Sequence, residues 1–229
     1  MIKTSIPSSS DHIYGNCDYL FYSTYVEDEL YLDGKYARTI YCISGTLKVG
    51  HFILKAGDSI DVVNRQFLAH GKAHVYIAQV AVDPGTFQST KITRAGAHYK
   101  VTKPWGWELW INGQSQFYSV KKIFIAAGNK TSLQYHNFKE ESNLIEHGEV
   151  VLVYKHNTEV ENDAVTPADL GAHTMHGPVC IHVTPKTIHR LIAKTDLYLF
   201  EVSTPFLDDV VRLHDDQQRP NGRIDSEHA

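Results

Sequence analysis

The chain has 229 residues, 42% of them hydrophobic and 21% charged, with a formal net charge of -4 at pH 7. That length buries a substantial core in one large domain or two small ones, and the composition is that of an ordinary globular protein. The acidic balance and the lack of any Lys/Arg run exclude a field for nucleic acid, and no apolar stretch nears the ~18 residues of a membrane span.

The start, MIKTSIPSSSDH, lacks the apolar stretch of a secretory leader. Residues 1 to 16 read as polar and loosely packed, with Pro7 and three serines against regular structure. Short β-rich runs follow. YLFYSTYV ends at Glu27-Asp28-Glu29, Asp33-Gly34 reads as a hairpin turn, and YARTIYCI closes at Ser44-Gly45. TLKVGHFIL, SIDVV and HVYIAQVAV complete a first half. The second half repeats the rhythm with FYSVKKIFI, a strand bearing Gln134 and His136, SNLIEHGEVVLVY, a polar loop near His156 to Pro167, CIHVTP, and HRLIAKTDLYLFEVSTP. Such spacing without a helical period indicates a β-sandwich or barrel. The polar tail from Gln217 to Ala229 reads as frayed. Cys17, Cys42 and Cys180 are scattered and odd in number, which fits a reducing, cytoplasmic compartment and no disulfide framework.

The chemistry concentrates in Gly128 to Gly148, GNKTSLQYHNFKEESNLIEHG. Gln134 and His136 are two apart, so an extended strand points both to one face. Glu141 follows a short polar turn, and His189 comes from a later strand. Together Gln134, His136, Glu141 and His189 offer four ligands to a metal, with room for substrate. His51, His70 and His74 of the first half have no such company and read as surface or turn histidines. His173 and His176, in GAHTMHGP, read as loop histidines.

These residues resemble the cupin superfamily. More closely, residues 103 to 223 resemble the isomerase domain of type II phosphomannose isomerases. Lys103-Pro104-Trp105-Gly106, Tyr118 to Ile123, Ser132-Leu133-Gln134-Tyr135-His136 with Glu141 and Gly148, Thr187 to Arg190, and Glu201 to Arg212 carry that likeness. The first half shows only a generic cupin strand pattern, GTLKVGHFILKAGDSI. Departures stand at Asn137-Phe138, Lys139 and Ser142, and residues 1–102 show no glycine-rich pyrophosphorylase loop, so a nucleotidyltransferase domain is not expected in them. The resemblance implies an all-β double-stranded β-helix (jelly roll) in two tandem cupin units, a bicupin. Residues 1–92 would be a degenerate unit without a metal site, and residues 93–229 the metal-binding unit.

The implied work is aldose–ketose isomerisation of a sugar or sugar phosphate through a cis-enediolate, whose negative charge a divalent metal stabilises while a base shuttles the proton. Zinc is the first expectation for the single transition metal, with Mn, Fe or Co as alternatives. Lys139, Arg212 and Lys122 are the candidate catalytic residues, and Glu140 and Trp107 the candidate substrate contacts. Against these stand plainer roles: Lys139 and Glu140 as solvated turn residues, Arg190 as structural, and Trp105, Trp107 and Trp110 as core. The expected partner is a small sugar or sugar phosphate, with neither nucleic acid nor membrane, in a homodimer. An Fe(II)-dependent cupin oxygenase and a non-enzymatic sugar-binding or regulatory cupin are the alternatives.

Overall fold

The structure is a computed structural model and describes residues 2–5, 14–15, 19–86, 88–112, 115–156 and 170–228. Among the described residues it is all-β and antiparallel, with short 3-10 turns at Ala95–Ala97 and Asp225–Glu227. The chain divides into two compact units, one of Pro7–Tyr99 and Ile111–Val120, the other of Met1–Ile6, Lys100–Trp110 and Lys121–Ala229.

Strand β1 (Ile2–Ser5) belongs to the second of these units. The first unit is one eight-stranded sheet made of β2 (Tyr14–Gly15), β3 (Leu20–Val26), β4 (Glu29–Leu32), β5 (Tyr36–Val49), β6 (Phe52–Lys55), β7 (Ser59–Val63), β8 (Phe67–Ala81) and β9 (Lys91–Thr93). Its inward residues, among them Val26, Leu32, Ile40, Leu47, Ile60 and Ile77, form one core. Two expectations fail here for a shared reason. Asp33-Gly34 does not close a hairpin, because β3 and β4 both pair with β8, as β5 does, but not with β5. Nor does the chain break at Ser44-Gly45: β5 runs through it with a register shift between Cys42 and Ser44. Gly45 permits this, since its φ is +81° and an added Cβ would lie 2.2 Å from the Lys72 carbonyl oxygen. β9 pairs with β7, so a division after residue 92 falls inside a strand of the first unit.

The second unit continues with β10 (Tyr99–Lys103), β11 (Gly106–Trp110), β12 (Ser119–Ile125), β13 (Leu133–Tyr135), β14 (Glu141–His147), β15 (Glu149–His156), β16 (Gly171–His176), β17 (Val179–Val183), β18 (Thr187–Ala193), β19 (Leu197–Ser203) and β20 (Val211–His214). A seven-stranded sheet runs β1-β17-β14-β19-β12-β11-β10 and a five-stranded sheet runs β16-β15-β18-β13-β20. Ile123, Ile145, Val179, Ile181 and Leu199 of the larger sheet share a core with Val150, Leu152, Leu191 and Ala193 of the smaller, which makes this unit a two-layer jelly roll.

Three corrections concern this unit. Residues 2–5, expected to be irregular, pair with β17. His173 and His176 lie on strand β16 rather than in a loop. The tail is not frayed: Arg219, Arg223 and His228 line the cavity described next. The expected loop at His156 to Pro167 falls largely outside the described residues. Cys42 and Cys180 are free and buried, and burial pushes their thiols up to about 11 and about 12. Among the described residues no helix is long and apolar enough to cross a membrane.

Candidate metal centre and its cavity

Strand pairing assembles the centre. Gln134 on β13 is the register partner of His189 on β18 and of Arg212 on β20, so the three stand abreast across the smaller sheet. His136 lies two residues beyond Gln134, and β14 brings Glu141 from the opposite sheet. His136, Glu141 and His189 are all buried, with candidate ligand atoms within 4.8 Å of one another.

The tautomers follow from the main chain. His136 places Nδ1 against the Asp209 carbonyl and His189 places Nδ1 3.0 Å from the Thr187 carbonyl. Each Nδ1 then carries the proton, and each Nε2 lone pair faces inward. His136 Nε2 lies 3.4 Å from Glu141 Oε2, and His189 Nε2 lies 3.1 Å from Glu141 Oε1. Burial, followed by the nearby Lys139 ammonium, pushes His136 down and keeps it neutral. His189 Nε2 is buried without a hydrogen-bond partner despite the adjacent oxygen. A lone pair and a carboxylate oxygen so close repel each other unless a cation lies between them. Two imidazoles with inward Nε2 atoms and one carboxylate therefore fit a divalent transition metal. Gln134 accepts from Ser132 at 2.5 Å through Oε1 and turns Nε2 toward His136 at 3.5 Å; a half-turn of the amide exchanges its two ends.

Lys139 is not solvated. Its Nζ donates to Glu141 Oε2 at 2.6 Å and to Glu201 Oε1 at 2.9 Å, deep in the unit. Burial works against its charge, but those two carboxylates outweigh it and raise Lys139 above the ordinary lysine range. Burial likewise favours neutral Glu141, yet the Lys139 ammonium holds it well below the usual carboxylate range. Lys139 is thus a fixed ammonium, which suits charge positioning and not proton abstraction.

From Lys139 an alternating row of charges crosses the cavity. Glu201 lies 3.5 Å from Lys121, Lys121 lies 3.6 Å from Glu108, and Glu108 lies 3.6 Å from Lys103. Lys103 then meets Glu227 at 2.8 Å, Glu227 meets Arg219 at 3.1 Å, and Arg219 meets Asp215 at 2.6 Å. Burial opposes ionisation of Glu108, but Lys121, Lys103 and the Trp110 indole N–H hold it at about 2. The cavity, of about 110 Å³, is walled by the metal centre, Asn143, Arg212 and the members of this row other than Glu227 and Asp215. Arg212 donates through Nη1 to the Pro220 and Gly222 carbonyls, and its Nε is buried without a partner.

The expected residues divide by face. Gln134, His136, Glu141, His189, Lys139 and Arg212 converge on the cavity. Lys122, Trp107 and Glu140 do not. Lys122 Nζ lies over the Phe200 ring at 5.5 Å, and Trp107 stacks on Phe124 at 5.7 Å with Lys100 above it, on the other face of the sheet. Glu140 turns to His182, 2.7 Å away. Strand alternation puts Lys121, not Lys122, inside, because Trp110 and Glu108 pair with Lys121 and Ile123. Glu108, Lys121 and Glu201 are the residues that sequence reasoning missed. A lone carboxylate within the apolar run LYLFEVS was the available signal for Glu201.

No family model matches the chain, and no curated protein matches its sequence. Its fold is that of cupin proteins of known structure. An IolB-like protein of Salmonella typhimurium is 12% identical with a TM-score of 0.70, over 91% of this chain and 95% of that one. Oxalate decarboxylase of Lactobacillus farciminis is 12% identical with a TM-score of 0.65, over 86% and 80%. Quercetin 2,3-dioxygenase of Acinetobacter baumannii is 12% identical with a TM-score of 0.58, over 85% and 84%. Identities this low establish the fold alone, and the likeness to phosphomannose isomerases rests on the sequence motifs.

Proposed function

We propose that the protein is a metal-dependent isomerase of a sugar or sugar phosphate, interconverting aldose and ketose. The observation that carries this reading is the buried cluster of His136, Glu141 and His189, with its orphaned His189 Nε2, on a strand whose register partner Gln134 is in turn paired with Arg212. Those residues would hold one divalent transition metal, whose Lewis acidity stabilises negative charge developing on two neighbouring sugar oxygens. The protein's own groups do the rest. Lys139 fixes the Glu141 carboxylate at 2.6 Å. On this reading Glu201, which lies between Lys139 and Lys121 and lines the cavity, takes the proton from one sugar carbon and returns it to the next. Arg212 adds a guanidinium on the same wall. The apolar side chains of Trp105, Ile123, Leu191 and Leu199 keep bulk water from the reacting carbons.

The first unit serves as a scaffold on this reading, in a cytoplasmic homodimer whose partner is the small-molecule substrate. Because two histidines and one carboxylate also make an iron-oxygenase triad, the decisive experiment follows the proton. The metal-loaded protein in deuterated water should incorporate deuterium at C2 of mannose 6-phosphate, and His136→Ala/His189→Ala should abolish it. Oxygen uptake with iron and no exchange would transfer the chain to the oxygenases. Metal and sugar binding with neither reaction would make it a binding cupin.

A further inference from the structure

The segment Asp225–Glu227, none of whose residues is buried, sets a carboxylate between Lys103 and Arg219, two residues that line the cavity. Glu227 reaches Lys103 Nζ at 2.8 Å with one oxygen and Arg219 Nη1 at 3.1 Å with the other. The next residue, His228, sets its ring edge-on to Trp110 at 5.4 Å. A carboxylate gripped by a lysine and an arginine at the end of a cavity has the form of a bound anionic ligand.

The ion pairs point the same way. Glu227 is the carboxylate that bridges Lys103 and Arg219, and both of those residues line the cavity. Withdrawing Glu227 leaves Lys103 Nζ and the outer nitrogen of Arg219 to take another anion. Arg219 itself stays anchored, because Asp215 accepts from its Nε at 3.0 Å and its Nη2 at 2.6 Å. The subsite therefore survives departure of the segment.

We propose that Lys103 and Arg219 form the subsite for an anionic group of the substrate, a phosphate ester or a carboxylate, and that Glu227 occupies it as an internal stand-in. Substrate displaces Glu227, and the segment swings away from the cavity as it binds. The assignment rests on the reading of the cavity as a substrate site, and it narrows the substrate to an acidic one.

The test titrates inorganic phosphate and, separately, acetate into the full chain by calorimetry. Glu227→Gln should tighten phosphate binding about tenfold, the change that ~1.4 kcal/mol brings, and Lys103→Met added to it should abolish the gain. A gain for phosphate alone assigns a phosphate ester, and an equal gain for acetate assigns a carboxylate. No gain in Glu227→Gln, or a gain that survives Lys103→Met, overturns the proposal. In the unaltered chain, phosphate should speed hydrogen exchange at residues 225–228; unchanged or slower exchange there also overturns it. Metal content measured on the same samples tests the metal centre independently, so failure of the subsite and failure of the isomerase reading separate.

Discussion

Gln134 and His189 are directly opposed across the antiparallel pairing of β13 and β18. A slip of one residue would turn one of them to the other face, so this pairing fixes the metal centre as much as the side chains do. Gln134→Ala should weaken metal binding about 10–100-fold, the usual cost of losing a supporting group, and should leave the fold intact. Titration of zinc or manganese against a chelator measures it. An unchanged affinity would remove Gln134 from the centre.

Lys139 is the charge that makes two buried carboxylates tolerable. Lys139→Met should cost about 3–5 kcal/mol of stability, as expected when one partner of a buried ion pair is removed. A divalent metal should restore part of the loss, since a ligand at ~100 times its Kd contributes about 2.7 kcal/mol. Chemical denaturation with and without metal reads both effects. A neutral substitution would contradict the buried pairing.

The two faces of β12 give a sharper contrast. Lys121→Ala should alter substrate turnover, whereas Lys122→Ala, Trp107→Ala and Glu140→Gln should keep metal affinity within about twofold, the ±0.5 kcal/mol range of changes away from a site. Equal losses at Lys121 and Lys122 would mean that the strand phase is wrong.

That contrast marks what the sequence can carry. Period-two patterning reveals strands, and Gln134, His136, Glu141 and His189 stand out because polar residues at that spacing have little reason to enter a β core. Phase is harder. Lys121 and Lys122 are equivalent until the partners on β11 are known, and bulges such as those at Cys42/Ser44 and Leu133/Gln134 reset alternation locally. Glu108 and Glu201 escaped because their partners, Lys103, Lys121 and Lys139, come from other strands or a distant turn. The tail looked frayed because its polar composition hides a long-range ion pair between Lys103 and Glu227.

In the first unit, Asp58 accepts from the Lys55 and Ala95 N–H groups at 3.0 Å each and from Arg94 at 2.7 Å. Burial pushes its carboxyl up, but these bonds prevail and hold it below the ordinary range. Its folded pKa is thus below its unfolded value of about 3.9. The stabilisation is complete above that value and is lost as pH falls through the folded one. Asp58→Asn should cost about 1–3 kcal/mol at neutral pH and should flatten the loss of thermal stability at acid pH. An identical acid profile in the variant would contradict this.

The metal content of the purified protein tests the central claim most directly. The chain should hold one divalent transition metal, and His136→Ala/His189→Ala should fold but hold none, since both Nε2 donors are gone. An unaltered protein that folds yet takes up no zinc, manganese, iron or cobalt, or a double variant that keeps its metal, would contradict the account.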